Sequence, residues 1–303
     1  MPVESRNFHL SDLDVLDRFT DYSVLGEGAF GSVFKCWDNS RKMGVALKVA
    51  SEVEHHRFNR EFQILSQSLS ERLVRVYDFG GPSQILRRDG STRPHWWYSM
   101  ELCGADLHAR LATDPLTTRA RFCFEMLDGL AYLGEKGIAH RDLKPKNLFL
   151  VGSARGSVES LKLGDFGIAK AASPALKHGE DLTDKGMVVG TFEYLAPERF
   201  MRTDGLDLCR GDQYAAGVIV YRLLSTGAFP LDFGDCAPRT IAEAHCYGPL
   251  KPLVVPEWAN ARPREVERVL ARMMAKESQR RYDTIAECVR ALRAALAQRG
   301  VNP

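Results

Sequence analysis

The 303-residue sequence is most informative first through what it lacks. Its seven cysteines, Cys36, Cys103, Cys123, Cys209, Cys236, Cys246 and Cys288, form no C-x-x-C pair, and the count is odd. That excludes a disulfide scaffold and a structural zinc site, and most of these thiols are expected to be small buried hydrophobes in a reducing compartment. No apolar run approaches the roughly 18–20 residues of a membrane span; the run at 215–221 is stopped by Arg222. Charge of one sign is also missing: 41 basic against 39 acidic residues leave +2, too little for a general field toward nucleic acid or membrane. The first ten residues have neither a basic start nor an apolar stretch, so no signal peptide is expected and a cytoplasmic location is. Internal repeats and low-complexity blocks are absent. What remains is 45% hydrophobic and 26% charged, the composition of a soluble globular chain long enough for a sizeable core in one large or two smaller domains.

The first hundred residues read mostly as strand. Segments 23–39, 44–50, 73–80 and 95–102 are candidates. One helix interrupts them at 55–69, where Phe58, Phe62, Leu65 and Leu69 make an apolar stripe and Glu61 flanks it. After about residue 104 the pattern turns helical: 117–137 closed by Gly137, 212–227 opened by an acid and ended by a glycine, 263–276, and 282–300 with Ile285, Val289, Leu292 and Leu296 inward. Strands followed by helices imply an α+β protein, with a small sheet lobe before a larger helical lobe and a ligand site favoured between them. Segments 81–94, 151–160 and 171–187 read as loops.

Three constellations carry chemistry. Gly26, Gly28 and Gly31 have G-x-G-x-x-G spacing, which lets backbone amides approach phosphate oxygens with no Cβ between. The residues after them alternate like a strand, so a glycine hairpin over phosphates fits better than a dinucleotide fingerprint, which needs a helix there; an ordinary glycine-rich hairpin is the plain alternative. Lys48 ends an apolar strand and needs anionic partners, phosphates or Glu61, unless its stem simply snorkels at a strand edge. In "HRDLKPKN" (140–147), Asp142 can accept a hydroxyl proton. Asn147 and the Asp165 of "DFG" (165–167) offer hard oxygen ligands of the kind Mg²⁺ prefers. The same tripeptide recurs within 77–81 and 231–235; the spacing from Asn147 and a preceding strand-like run single out the copy at 165.

With these residues in place, the chain resembles the catalytic domain of eukaryotic-type (Hanks-type) serine/threonine protein kinases from about residue 20 to 297. The segment "GTFEYLAPE" (190–198) resembles the family's substrate-docking segment, Asp212 the buried acid that opens its central helix, and Arg281 the arginine that pairs with Glu198. The resemblance implies a bilobal fold: an extension at 1–19, an antiparallel-sheet N-lobe with one helix at 20–101, a mainly helical C-lobe at 102–300, and a nucleotide cleft between the lobes.

It also implies roles. Leu25, Gly26, Gly28, Gly31, Val33, Ala46, Lys48, Met100, Glu101, Cys103, Asp106 and Phe149 would contact ATP, Met100 limiting the depth of the adenine pocket. Lys48, fixed by Glu61, would hold the α- and β-phosphates; Asn147 and Asp165 would hold Mg²⁺ or Mn²⁺. Asp142 would orient the acceptor hydroxyl and Lys144 stabilise the transferring group. Lys144 with Thr191 resembles the serine/threonine branch, so the partner is a protein with Ser or Thr acceptors. Arg141 and Lys170 would form a cationic pocket for a phosphorylated loop, with Thr183 first and Ser173 second as sites of autophosphorylation, in trans through self-association. Leu65, Val76, His140 and Phe166 resemble the family's stacked apolar column. Departures are Lys146, where many members have Glu or Ser, and a long basic 81–94 segment. A pseudokinase scaffold is opposed by the presence of Lys48, Asp142 and Asp165, and a small-molecule kinase by the docking segment at 190–198.

Overall fold

Alternation along residues 31–38 sets the geometry of the first half: Ser32, Phe34, Cys36 and Asp38 are buried, while Lys35 and Trp37 are exposed. A computed structural model describes residues 18–28, 31–51, 55–86, 92–152, 159–166, 189–201, 207–258 and 262–302. The chain divides into two units, Met1–Gly104 and Ala105–Pro303.

In the first unit, β1 (Phe19–Gly28), β2 (Gly31–Asp38), β3 (Met43–Ser51), β4 (Val76–Leu86) and β5 (Thr92–Glu101) form one antiparallel sheet in the order β1-β2-β3-β5-β4. Strand β3 is central, so both its edges are paired, and the burial of residues 45–50 in unbroken succession shows that both its faces are covered. Val45, Leu47 and Val49 join Phe19, Phe34 and Cys36 in one cluster, against which Tyr22, Tyr77 and Trp97 pack. The alternate residue Ala50 lies on the other face with Phe58 and Tyr98. Phe58 belongs to α1 (His55–Ser66), which therefore rests on the face that also carries Ala46 and Lys48. Outside this core, Asp38 is fully buried and held by Arg18 through Nε–Oδ1 (2.9 Å) and Nη2–Oδ2 (2.5 Å), and by the N–H groups of Ser40 and Arg41.

The second unit is built around α2 (Leu116–Glu135) and α3 (Leu208–Leu224), followed by α4 (Pro238–Tyr247), α5 (Arg264–Met273) and α6 (Ile285–Ala297). A two-stranded ribbon, β6 (Leu148–Val151) with β7 (Ser160–Leu163), packs on α2. Gly137 closes α2 at φ 67°, where the N–H of Ile138 reaches Leu133 O. Arg119 of α2 is fully buried; it donates to the carbonyls of Leu223 and Leu224 at the end of α3 (2.5 and 3.1 Å) and pairs with Glu257. It thereby satisfies carbonyls that a helix end leaves without partners.

The α+β class and the sheet-then-helix order match the expectation, but several details differ. Helix α1 ends at Ser66, and Leu69 is 92% exposed, so the stripe has three members and not four. Segment 81–94 is largely strand: β4 runs to Leu86 and β5 starts at Thr92, with a register shift between Gly80 and Ser83 that absorbs the turn-like Gly-Pro pair. Helix α3 begins at Leu208 and is capped by Asp207, whose side chain accepts from Arg210 N; Asp212 lies inside the helix rather than opening it. Helix α4 was not anticipated. In α6, Cys288 and Ala295 are buried and Val289 only partly so. Of the cysteines, Cys36, Cys123 and Cys288 are buried, Cys236 is exposed, and the other three are intermediate.

Candidate active site

In the first unit the site grows from sheet register. Directly paired residues of antiparallel strands share a face. Val33 pairs with Lys48, Lys48 with Tyr98, and Ala46 with Met100, so one face carries all five. From this face Lys48 reaches Glu61 of α1, its Nζ lying 3.0 Å from both carboxylate oxygens. Both residues are buried, and the ring of Tyr98 lies 5.8 Å from the ammonium. The periods of strand and helix place the pair: Glu61 sits one helical turn from Phe58 and Leu65, which seat α1 on the sheet. Glu101 pairs with Val45, so its side chain belongs to the opposite face; its N–H is bonded to Arg75 O (2.8 Å), and its carbonyl accepts from Cys103 Sγ (3.6 Å).

The glycines of the β1–β2 hairpin are not equivalent. A Cβ on Gly26 would meet no described atom within 4 Å, whereas one on Gly31, at φ 137°, would lie 2.0 Å from Val49 O. Gly28 pairs with Gly31 at the end of the hairpin, and Leu25, beside Gly26, is 52% exposed.

In the second unit the loop at 140–147 is clamped from beneath. Asp212 accepts from the backbone N–H of His140 (2.5 Å) and Arg141 (2.8 Å). Burial pushes the Asp212 carboxyl up to about 7, against the pull of those N–H donors and of Arg141 and Arg199. Arg141 adopts φ 70° at the turn. The fully buried His140 ring has Nε2 3.1 Å from Gly164 O and stacks on Phe166, centroids 4.8 Å apart. Burial holds its pKa down at about 4.

Above this clamp, Asp142 Oδ2 lies 3.1 Å from both Lys144 Nζ and Asn147 Nδ2. The Asn147 amide also donates to Asp142 O (2.8 Å) and Asp165 O (3.3 Å). Its nitrogen is thus engaged inward, which leaves the amide oxygen for a ligand. Gly164 N–H bonds to Asn147 O (3.0 Å), and Asp165 is exposed at φ 56°. A bridge between Asp106 and Phe149 joins the start of the unit to β6. Among the described residues no three His, Cys, Asp or Glu side chains form a metal cage. The exposed Asp165 carboxylate and the Asn147 oxygen fit Mg²⁺, which keeps several waters and is shared with substrate phosphates.

The segment after residue 188 forms short turns at Val189–Tyr194 and Pro197–Arg199. Glu198 receives two bonds of 2.7 Å from Arg281, whose Nε donates to Ala275 O and Nη1 to Arg210 O. Thr191 lies on the first turn, but its side chain, like Lys170, Ser173 and Thr183, falls outside the described residues.

A model of the protein kinase domain matches residues 19–291. The chain belongs to the protein kinase domain family. Among curated relatives, this kinase domain is 34% identical over 295 residues to the serine/threonine-protein kinase pkn2 of Myxococcus xanthus, covering 93% of the chain and 33% of that protein. It is 33% identical over 287 residues to Pkn1 of the same organism (90% and 38%), and 31% identical over 282 residues to PknJ of Mycobacterium tuberculosis (90% and 44%). The kinase domain therefore spans a third to under half the length of these relatives. Sequence reading missed Asp207 as a cap, Arg119 as the support of α3, and the buried His245 of α4, whose Nδ1 meets the Tyr214 hydroxyl. Asp207 carried a readable signal, an acid at the start of a helical pattern.

Proposed function

We propose that the protein transfers the γ-phosphoryl group of ATP to Ser or Thr hydroxyls of protein substrates. The observation that carries this is the arrangement of Asp142, with Lys144 at 3.1 Å and the Asn147 amide fixing the same carboxylate, on a loop whose main chain is clamped by Asp212. Phosphoryl transfer asks a protein chiefly for alignment and charge neutralisation, because its transition state is loose. Asp142 orients the acceptor hydroxyl and takes its proton late. Lys144 stabilises charge on the transferring group. Lys48, held by Glu61, receives the α- and β-phosphates, and Gly26, Gly28 and Gly31 bring backbone N–H groups to them. Leu25, Val33, Ala46, Met100, Asp106, Phe149 and the main chain at Glu101 and Cys103 contact the nucleoside. Mg²⁺, or Mn²⁺ in its place, held by Asn147 and Asp165, neutralises phosphate charge when bound.

Lys144 and Thr191 support a Ser/Thr acceptor, as do the names of the relatives. On the same reading Thr183, then Ser173, is autophosphorylated between associating copies of a cytoplasmic protein, the phosphate engaging Arg141 and Lys170. The test is transfer of labelled phosphate from ATP to casein and to the protein itself, with phosphopeptide mapping. Asp142→Asn is expected to lower kcat by about 10²–10⁴-fold while the thermal midpoint stays close to wild type. Nucleotide binding with no transfer by the wild type would instead identify a scaffold.

A further inference from the structure

One arginine of the second unit stands uncommitted on the same pocket wall as Asp142. Arg199 directly follows the A-P-E motif, on the turn Pro197–Arg199, and its side chain makes no hydrogen bond or ion pair among the described residues. It is partly buried and lines a pocket whose wall also carries Arg141, Asp142, Glu198, Asp207 and Asp212. Every acid on that wall is already matched. Asp142 Oδ2 lies 3.1 Å from Lys144 Nζ, and Asp207 Oδ2 lies 3.1 Å from Arg210 Nε. Glu198 takes both arms of Arg281 at 2.7 Å. Asp212 accepts from two backbone N–H groups, and burial pushes its carboxyl up to about 7, so near neutral pH it carries only part of a charge. Arg199 acts on Asp212 as a nearby charge and does not bond it.

A guanidinium taken partly out of water calls for an anion. None of these acids is uncommitted, so the anion that suits this site is an incoming one. The cavity is about 30 Å³, room for the tip of a carboxylate and far too little for a nucleoside. A planar guanidinium matches a carboxylate through two parallel N–H···O bonds. Its backbone is set in advance: Arg199 N–H bonds to Ala196 O (2.9 Å), Phe200 N–H to Pro197 O (3.0 Å), and the neighbouring Glu198 is pinned by Arg281. Binding there orders little that is not already ordered. Because Asp142 lines the same pocket, a side chain that reaches Arg199 belongs to the polypeptide whose hydroxyl Asp142 receives.

We propose that Arg199 is a specificity-determining residue that binds the carboxylate of an Asp or Glu close in sequence to the acceptor Ser or Thr of the protein substrate. This rests on the reading of Asp142 as the acid that receives the acceptor hydroxyl. The test is steady-state transfer from ATP, by the full chain, to synthetic peptides with a single central Ser, each flanking position carrying Glu, Gln or Lys in turn. At one flanking position the wild type is expected to favour Glu over Gln by about 5–20-fold in kcat/KM, chiefly through KM for the peptide. Arg199→Gln is expected to bring that ratio below about twofold, and Arg199→Glu to favour Lys over Glu at the same position, an inversion that a merely structural role would not give. Equal use of Glu and Gln peptides by the wild type at every position, or an undiminished preference in Arg199→Gln, overturns the proposal. Phosphoserine exceeding Glu at the preferred position overturns the assignment to a carboxylate. Should Arg199→Glu fail to fold, the ratios in wild type and Arg199→Gln decide, each being read between two peptides within one protein. A wild type that labels neither peptides nor casein fails the protein-kinase reading, and the proposal falls with it.

Discussion

Lys48 with Glu61 in the first unit, and Arg281 with Glu198 in the second, are both buried pairs of opposite charge, at 3.0 and 2.7 Å. Their surroundings differ. The Arg281 fork reaches both Glu198 oxygens and also the carbonyls of Ala275 and Arg210, with Tyr214 5.0 Å from the guanidinium. Lys48 presents a compact ammonium to a carboxylate on a helix seated by one apolar stripe. A planar fork with its donors engaged is suited to fastening a structure; a point charge on a flexible stem can be shared with an arriving phosphate. Burial alone does not separate a structural ion pair from a functional one. The chemistry of the cation does: a planar fork fastens, and a compact ammonium can be shared.

The sharpest break in that comparison is a paired substitution. Arg281→Ala leaves Glu198 buried without its partner and is expected to cost about 3–5 kcal/mol of unfolding free energy, read by urea titration. Lys48→Met is expected to shift the urea midpoint less, because the Lys48 side chain is 11% exposed and that of Arg281 is not exposed at all, yet to lower kcat/KM by about 10²–10³-fold. Equal stability losses in the two variants would erase the distinction.

Asp212 sharpens it further, since it holds the 140–147 loop through the backbone N–H groups of His140 and Arg141, with Arg141 and Arg199 acting on it only as nearby charges. Its folded-state carboxyl, at about 7, lies above the ordinary 3.8. Between those values the folded chain binds a proton that the unfolded chain has released. The stability this group contributes is therefore full below about 4 and is lost as pH rises to about 7. Wild type should accordingly gain on Asp212→Asn as pH is lowered from about 7 to about 4, by an amount on the order of 2–4 kcal/mol. Asp212 is not among the groups that shift His140 or His245, so the difference between the two proteins reads Asp212. A parallel pair of stability curves would overturn the assignment. The smallest effect belongs to a single cap: Asp207→Ala should cost about 1 kcal/mol in thermal or urea unfolding, with kcat unchanged.

Much of this architecture was legible because local signals and tertiary context agree. Gly137 ends α2 where its positive φ is needed, and the parity of β3 sends Lys48 toward the helix that bears Glu61. The failures have physical causes. Beyond Ser66 the stripe continues on paper, but the Ser66 and Ser68 hydroxyls bond back to the carbonyls of Gln63 and Ile64, competing with the next turn and leaving Leu69 in solvent. The Gly-Pro pair at 81–82 reads as a loop, yet a bulge accommodates it within β4. Helix α4 buries only Ile241, Ala244 and His245, and a histidine counted as polar erases the periodicity. In the site, motif spacing located Asp142, Asn147 and Asp165, but the support that Arg119 gives to the end of α3 depends on burial, which spacing does not encode.

The two outer glycines of the hairpin answer to different masters. Position 31 is closed to any other side chain by Val49 O at 2.0 Å, a demand of the sheet itself, whereas a Cβ at position 26 would meet no described atom within 4 Å. On the proposed function, a lineage that had stopped using nucleotide would be expected to lose the first glycine long before the third. A surviving Gly31 therefore says little about whether such a descendant still works, and the state of position 26 says a great deal.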